Sequence, residues 1–439
     1  MRATTTLTTA ARGSMAMLAA LLCGALLTGC DATGPSGSGD AVVRVPEDTA
    51  SLQEAADRVA EGGVIEIAAG VYDQTMLVST PDVTVRGADR NETVVDGGGI
   101  RPYGIVGIAD GITIENLTVT GALYYGVLVT GTHDENGPSA HGGAGYQPFD
   151  PAQFPPLQRF LIDHVTAYNN GLYGIYAFNS QHGVIRDSYA SGSADSGFYV
   201  GQCEGCDILV TGNVAENNAV GFENANASDS VVIAGNRFAG NRVGMTLLSN
   251  YQEAFSPQSG NTIVGNLVWG NDAGDSPAQA DGAFALGIGI SGGRDNVFER
   301  NLIGANAAAG VQFANTEDLA ASGNDLRGNT FETNGVDVAN TSAARAPAAA
   351  NCADAGITTL PATLGDALAT CAATQEAAEV LPAPAAPEGV SFLRVAAPPA
   401  QPQLDAPASA PLPETVELPD LAAFDTPTSA LLADRSRMP

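Results

Sequence analysis

From Asn116 onward one phrase recurs: an apolar strand, a polar turn residue, further strand positions, then Asn or a small residue five places after the first polar one. The pairs are Asn116/Gly121, His164/Asn169, Ser188/Ser193, Asn213/Asn218, Asn236/Asn241, Asn266/Asn271, Asn301/Asn306 and Asn329/Asn334. Most are followed by Gly and a short alternating strand, as at Gly126, Gly174, Gly197, Gly221, Gly244 and Gly310. From Gly174 through Gly197 and Gly221 to Gly244 the period is 23–24 residues. A period of that size with two or three short strands predicts one turn of a parallel β-helix, because each turn can bury its apolar face only against its neighbours. Stacked at roughly 4.8 Å, equivalent positions form columns. The recurrent Asn should then hydrogen-bond its equivalent one turn away, and its tolerance of left-handed backbone suits the sharp bends.

The chain before this repeat reads as its beginning. Ser51-Leu-Gln-Glu54 is a capping box, with Leu52, Ala55, Ala56, Val59 and Ala60 on one helical face, so a short helix should cap the open end of the stack. The runs Val64–Tyr72, Val83–Gly87 and Thr93–Gly97 resemble the opening of pectin-lyase-like right-handed β-helix proteins. The stretch Tyr173–Gly221, with Asp195-Ser-Gly-Phe-Tyr-Val-Gly-Gln202 and Asn213-Val-Ala-Glu-Asn217, resembles the bacterial right-handed parallel β-helix repeat proteins. The resemblance implies an all-β chain: a single-stranded right-handed parallel β-helix over residues 42–340 with an N-terminal capping helix. Residues 341–376 read as a disulfide-closed, partly helical cap. Residues 377–439, opening on Pro-Ala-Pro-Ala-Ala-Pro and holding about half of the 25 prolines, are expected to be disordered for want of core-forming residues.

Composition narrows the partners. Forty-eight acidic against 18 basic residues give a net charge of −30, and every basic residue is Arg. Such a surface repels a phosphate backbone, which excludes nucleic acid as a partner. Residues 1–29 carry Arg2 and Arg12 ahead of an apolar stretch, Met15–Leu27, too short to span a membrane. The ending Leu27-Thr28-Gly29-Cys30 resembles the lipobox of bacterial lipoproteins, which implies cleavage before Cys30, its lipidation, and anchoring to the outer face of the cell membrane. Residues 30–41 would be a flexible tether. In an oxidising compartment Cys203 and Cys206 read as a small turn disulfide, and Cys352 and Cys371 as closing a loop of about 20 residues, worth roughly 3 kcal/mol in the chain-entropy model.

Alternation also orients side chains. Val127/Val129, Ile175/Ala177, Phe198/Val200, Met245/Leu247 and Val311/Phe313 should point inward, leaving Leu128, Tyr176, Tyr199, Glu223, Thr246 and Gln312 as an outward column. Tyr176 and Tyr199 are expected to be stacked on adjacent turns with Glu223 next, an exposed ledge suited to sugar rings. Insertions Gly131–Gln158 and Asn250–Gly260, the second bearing Tyr251, follow the same strand and would build a lip over that face. His133, Asp134, His141 and His182 fall on the same edge and are expected to supply an acid/base pair or metal ligands, whereas His164 falls in the Asn column.

The enzymes that share this resemblance set a test. Pectate-lyase relatives use a basic residue beside calcium-binding carboxylates; here only Arg159 and Arg186 could serve. The Asp pair of polygalacturonases and the Asp-Pro-His-Asp segment of alginate epimerases are missing. The leading expectation is a surface-anchored β-helix that binds, and in one version processes, an extracellular polysaccharide. If it is an enzyme, it would be a lyase, an epimerase or a glycoside hydrolase. Its charge disfavours acidic glycans unless a divalent cation such as calcium bridges the carboxylates. The alternatives are a non-catalytic structural or adhesion module and a periplasmic metal-handling accessory protein.

Overall fold

The computed structural model describes residues 39–134, 137–138, 150–407 and 411–437. The expected signal, Cys30, most of the tether, Glu135 and His141 lie outside the described residues.

The apolar alternation winds the chain into a coil of three strand columns, all paired in parallel with the turn above. Ile208–Thr211, Val231–Ala234 and Thr262–Val264 exemplify the first column. Val214–Glu216, Arg237–Ala239 and Leu267–Trp269 exemplify the second. Ser196–Glu204, Val220–Ser228, Val243–Leu248 and Leu286–Ser291 belong to the third. Inside runs one continuous core, which holds all five inward pairs expected from the alternation. Its N-terminal end is covered by the helix Leu52–Arg58, capped by the Ser51 hydroxyl, which accepts from the Glu54 amide at 3.2 Å. The helix ends one residue before Val59, where the strand Val59–Ile67 begins. At the other end Leu364 and Leu368 of the helix Leu364–Ala369 enter the core. A disulfide joins Cys352 to Cys371, and another joins Cys203 to Cys206.

Asn ladders hold the corners, a short one running from Asn296 through Asn324 to Asn351 and two longer ones beside it. Asn213 Nδ2 donates to Asn236 Oδ1 at 3.0 Å, and the chain of bonds continues through Asn266 and Asn301 to Asn329. The second runs from Asn218 through Asn241, Asn271 and Asn306 to Asn334. The other Nδ2 hydrogen of each inner member reaches a backbone carbonyl, so these buried amides are satisfied. The left-handed residue is the one before each ladder Asn: Gly212, Gly235, Gly265, Arg300 and Gly328 in the first ladder, Asn217, Gly240, Gly270, Ala305 and Thr333 in the second. His164, at φ 52°, is one of these left-handed corner residues and sits one position ahead of the ladder register, not within the Asn column.

The proline-rich segment departs from the expectation of disorder. It has no core of its own, yet it lies along the stack and is held largely through its carbonyls. Arg90, wholly buried, donates to Pro402 O at 3.0 Å, Arg242 to Pro387 O at 2.9 Å, Arg237 to Ser429 O at 2.7 Å and Arg300 to Phe424 O at 2.8 Å. In return Arg435 donates to Gly212 O at 2.6 Å and Ser188 O at 3.1 Å. Composition predicts whether a segment can fold alone; it does not register a preformed surface whose arginines accept an extended, carbonyl-rich chain.

Candidate functional site

The outward column of the third sheet runs Leu128–Tyr176–Tyr199–Glu223–Thr246–Gly289–Gln312 in strict register. Alternation thus gave the correct side of the strand. Exposure is another matter. Tyr176 and Tyr199 are 0% and 2% exposed, and Glu223 is half-buried, so the expected open ledge is a covered one. Tyr125, Tyr173, Tyr176 and Tyr199 pack together as a second apolar cluster outside the core. The Tyr173–Tyr199 ring centroids lie 4.6 Å apart, and Tyr176–Tyr199 meet edge to face at 4.8 Å. The segment after Asn250 folds over them: Tyr199 Oη donates to Glu253 Oε1 at 2.5 Å, and Asn226 Nδ2 donates to Glu253 O at 2.9 Å. Tyr251 is not part of this cluster; it is 60% exposed and its hydroxyl donates to Asp318.

Carboxyl groups gather beside the tyrosines. Asp195 stands in the turn entering the strand, and Ser196 Oγ lies 3.1 Å from Asp195 Oδ1 and 2.8 Å from Glu223 Oε2. A hydroxyl carries one hydrogen, so Ser196 can donate to only one of these groups, and the other contact is favourable when that carboxyl is protonated and donates to Oγ. Burial, with Asp281 adding repulsion and the Ser196 bond opposing, pushes Asp195 up to about 6. Burial and the charge of Asp195 hold Glu223 well above the usual carboxylate range. Burial pushes Glu253 up to about 8 despite its bond from Tyr199. Near pH 7, then, Glu253 keeps its proton, and a proton held on either Asp195 or Glu223 completes the hydrogen-bond chain through Ser196. Among the described residues, the charged groups acting on Asp195 and Glu223 are carboxylates. Glu253 Oε2 is buried with no hydrogen-bond partner.

Of the expected histidine site, His141 lies outside the described residues, and His133 and His182 have separate partners. His133 pairs in a two-residue ribbon, His133–Asp134 with Gly137–Pro138, while His182 sits at a left-handed corner where Nδ1 donates to Asp207 Oδ2 at 2.8 Å. The same Asp207 oxygen accepts from the Val416 amide at 2.9 Å, which makes this carboxylate a fastening for the C-terminal segment. Among the described residues, Asp163, His164 and Asp187 form the metal-ligand grouping, their donor atoms within 4.8 Å of one another. Both Asp163 oxygens are already taken. Oδ1 accepts from His164 Nδ1 at 2.6 Å, and Oδ2 from Arg186 Nε and Nη2 at 2.9 and 2.6 Å. Burial raises Asp163, but these bonds outweigh it and leave the group below its ordinary value. With a guanidinium clamped on its oxygen, the trio fits a buried ion-pair network better than a cation site.

Residues 69–273 match the family model described as "Periplasmic copper-binding protein (NosD)". The chain is a parallel β-helix, and that match spans less than half of it. Among solved structures, this β-helix is similar to pectate lyase Pel9A at 18% identity, with 57% of this chain and 69% of that one covered at a TM-score of 0.40. It is also similar to the Azotobacter vinelandii mannuronan C-5 epimerase AlgE6 A-module, at 17% identity over 83% and 98% of the two chains with a TM-score of 0.45. The periplasmic alginate epimerase AlgG gives 13%, 69%, 84% and 0.32 for the same quantities. No curated protein matches the sequence.

Sequence reasoning missed Asp195, Ser196, Glu253 and Asp281. Two signals were available. Asp195-Ser196 immediately precedes a recurrent Gly, and the interval from Gly244 to Gly287 is far longer than one turn, flagging insertions at both edges of this face.

Proposed function

We propose that this β-helix is an exported, lipid-anchored protein that binds an extracellular polysaccharide on the outer face of its third sheet and processes it there by acid–base chemistry. The observation that carries the reading is the Glu223–Ser196–Asp195 chain: two carboxyl groups bridged by one hydroxyl, half-buried on a sheet face beside the packed tyrosines. Carboxyl groups beside aromatic rings suit a ligand rich in hydroxyls and C–H faces. Affinity electrophoresis of the full chain against a polysaccharide panel, with and without calcium, tests it. Retention by at least one polymer, lost in Glu223→Ala, is the expected result, and mobility unchanged across the whole panel rejects it. The anchor rests on the Leu27–Cys30 motif. Cys30→Ala protein should leave the membrane fraction for the soluble one, and its persistence in washed membranes at high salt would count against lipidation.

A second reading, handling of a copper ion, is favoured by the match over residues 69–273 to a family described as copper-binding. Its ligand supply is thin: the four cysteines of the coil are in disulfides, and the Asp163 trio is occupied by Arg186. Calorimetric titration with copper, giving heat that disappears in His164→Asn, would favour it over the first.

A further inference from the structure

We infer that the N-terminal turns of the first column hold a second binding site, one that takes a short stretch of an uncharged glycan. It lies on a different sheet from the Tyr199–Glu223 face and goes beyond the reading above. The strands Asp40–Val45, Val59–Ile67 and Thr84–Gly87 stack in parallel, with Arg44 opposite Glu66 and Glu66 opposite Arg86. Two positions further along each strand come Pro46, Ala68 and Ala88, short side chains that are all exposed. Both rows, with Glu47, line a cavity of about 300 Å³. Small-ligand sites begin at about that volume, which is room for a sugar ring and not for a folded partner. The wall ends at the next turn, where Glu115, opposite Arg86, is wholly buried.

The polar groups around this cavity select the ligand. Arg86 uses only its Nε, on Glu115. Arg44 comes within 3.5 Å of Glu66 and 4.0 Å of Asp48 but its guanidinium makes no hydrogen bond among the described residues. The terminal N–H groups of Arg86 and those of Arg44 are therefore donors without a protein acceptor among the described residues, on side chains that are 25% and 50% exposed. Glu66 and Glu47, both exposed, add acceptors to the same wall. Donors and acceptors thus alternate from turn to turn at the strand spacing of about 4.8 Å. A hydroxyl group donates and accepts, so a polyol answers both kinds. A carboxylate or phosphate would be repelled by Glu66 and Glu47, and an ammonium group by Arg44 and Arg86. Pro46, Ala68 and Ala88 offer an aliphatic surface to the C–H face of a ring.

Calorimetric titration of the full chain with neutral hexasaccharides of glucose, xylose and mannose, and with hexagalacturonate, tests the inference. The expected result is binding of a neutral hexasaccharide, weakened about tenfold in Arg44→Ala and more mildly in Glu66→Gln. Ala88→Leu should abolish it by filling the cavity from an exposed position, and Ala68→Leu should do the same from the turn before. Melting curves matching the wild type establish that these variants fold. No binding of any neutral hexasaccharide overturns the inference, as does neutral binding that Arg44→Ala and both leucine variants leave unchanged. Preference for hexagalacturonate that grows in Glu66→Gln overturns it too, because it reveals an anion site. Glu223→Ala runs alongside. Binding lost only in that variant puts the glycan on the third sheet, so this inference fails and the reading above stands. Binding kept in Glu223→Ala and lost in Ala88→Leu supports the site on the first column and counts against the other.

Discussion

At Glu253, a carboxyl folded away from water keeps its proton up to about pH 8, and Asp195 does so to about 6. Both bind the proton more tightly in the folded chain than in the unfolded one. Their stabilising contribution is therefore complete below the ordinary values of 4.5 and 3.8 and falls as pH rises through about 8 and about 6. Asp163 acts in the opposite sense: held below 3.8 by His164 and Arg186, it stabilises above that value and its contribution is lost in acid. The melting temperature should accordingly peak in mildly acidic buffer and decline toward pH 8. Glu253→Gln removes a charge that forms only at a cost, so it should flatten the alkaline decline and stabilise the chain at pH 8 by on the order of a few kcal/mol. An alkaline limb identical to that of the wild type would show that Glu253 is already ionised or solvated. The residue scale is also where sequence reading fell short, since alternation puts Tyr199 outside the core but says nothing of the loop that covers it.

At the scale of one turn, the recurrent Gly and the ladder Asn are a single device. A Cβ at Gly221 would lie 2.5 Å from Gly244 O and 2.8 Å from Asn241 Nδ2; at Gly197, Gly287 and Gly310 the ladder amide is equally close. These glycines are selected by space and not by backbone conformation, for none of them has a positive φ. Gly221→Ala must displace either the ladder or the next strand and should cost about 1–3 kcal/mol, measured by denaturant melting. Gly205→Ala makes a contrast: φ is +61° but nothing lies within 4 Å, so only the left-handed backbone is penalised, by about 1 kcal/mol. Equal losses at the two sites would mean that the turns can slide apart to admit a methyl group. The sequence displayed this element plainly, because a turn that must stack on copies of itself repeats its constraints at a fixed period.

At the scale of the molecule, the C-terminal segment decides most. Held by Arg90, Arg237, Arg242 and Arg300, it reaches from the last turns, where the Ala378 amide donates to Asn340 O, back to Asn91 near the first. Deleting residues after Glu376 would leave four partly or wholly buried guanidinium groups short of acceptors, at about 1–3 kcal/mol each before relaxation. The truncated chain should melt well below the intact one, and coincident melting curves would show that the segment contributes nothing. The sequence alone determined the coil, its inward pairs, the capping helix and the register of the Tyr176–Tyr199–Glu223 column. These depend on local periodicity and on neighbours one turn away, which the chain states repeatedly. Only the tertiary structure decided how completely the expected lip closes over that column, which carboxyl groups converge there, and where the proline-rich segment lies. The Tyr199–Glu253 and Arg90–Pro402 contacts span an insertion and a long separation, the Ser196–Glu223 contact a single turn, and each occurs once, so no repeat announces it.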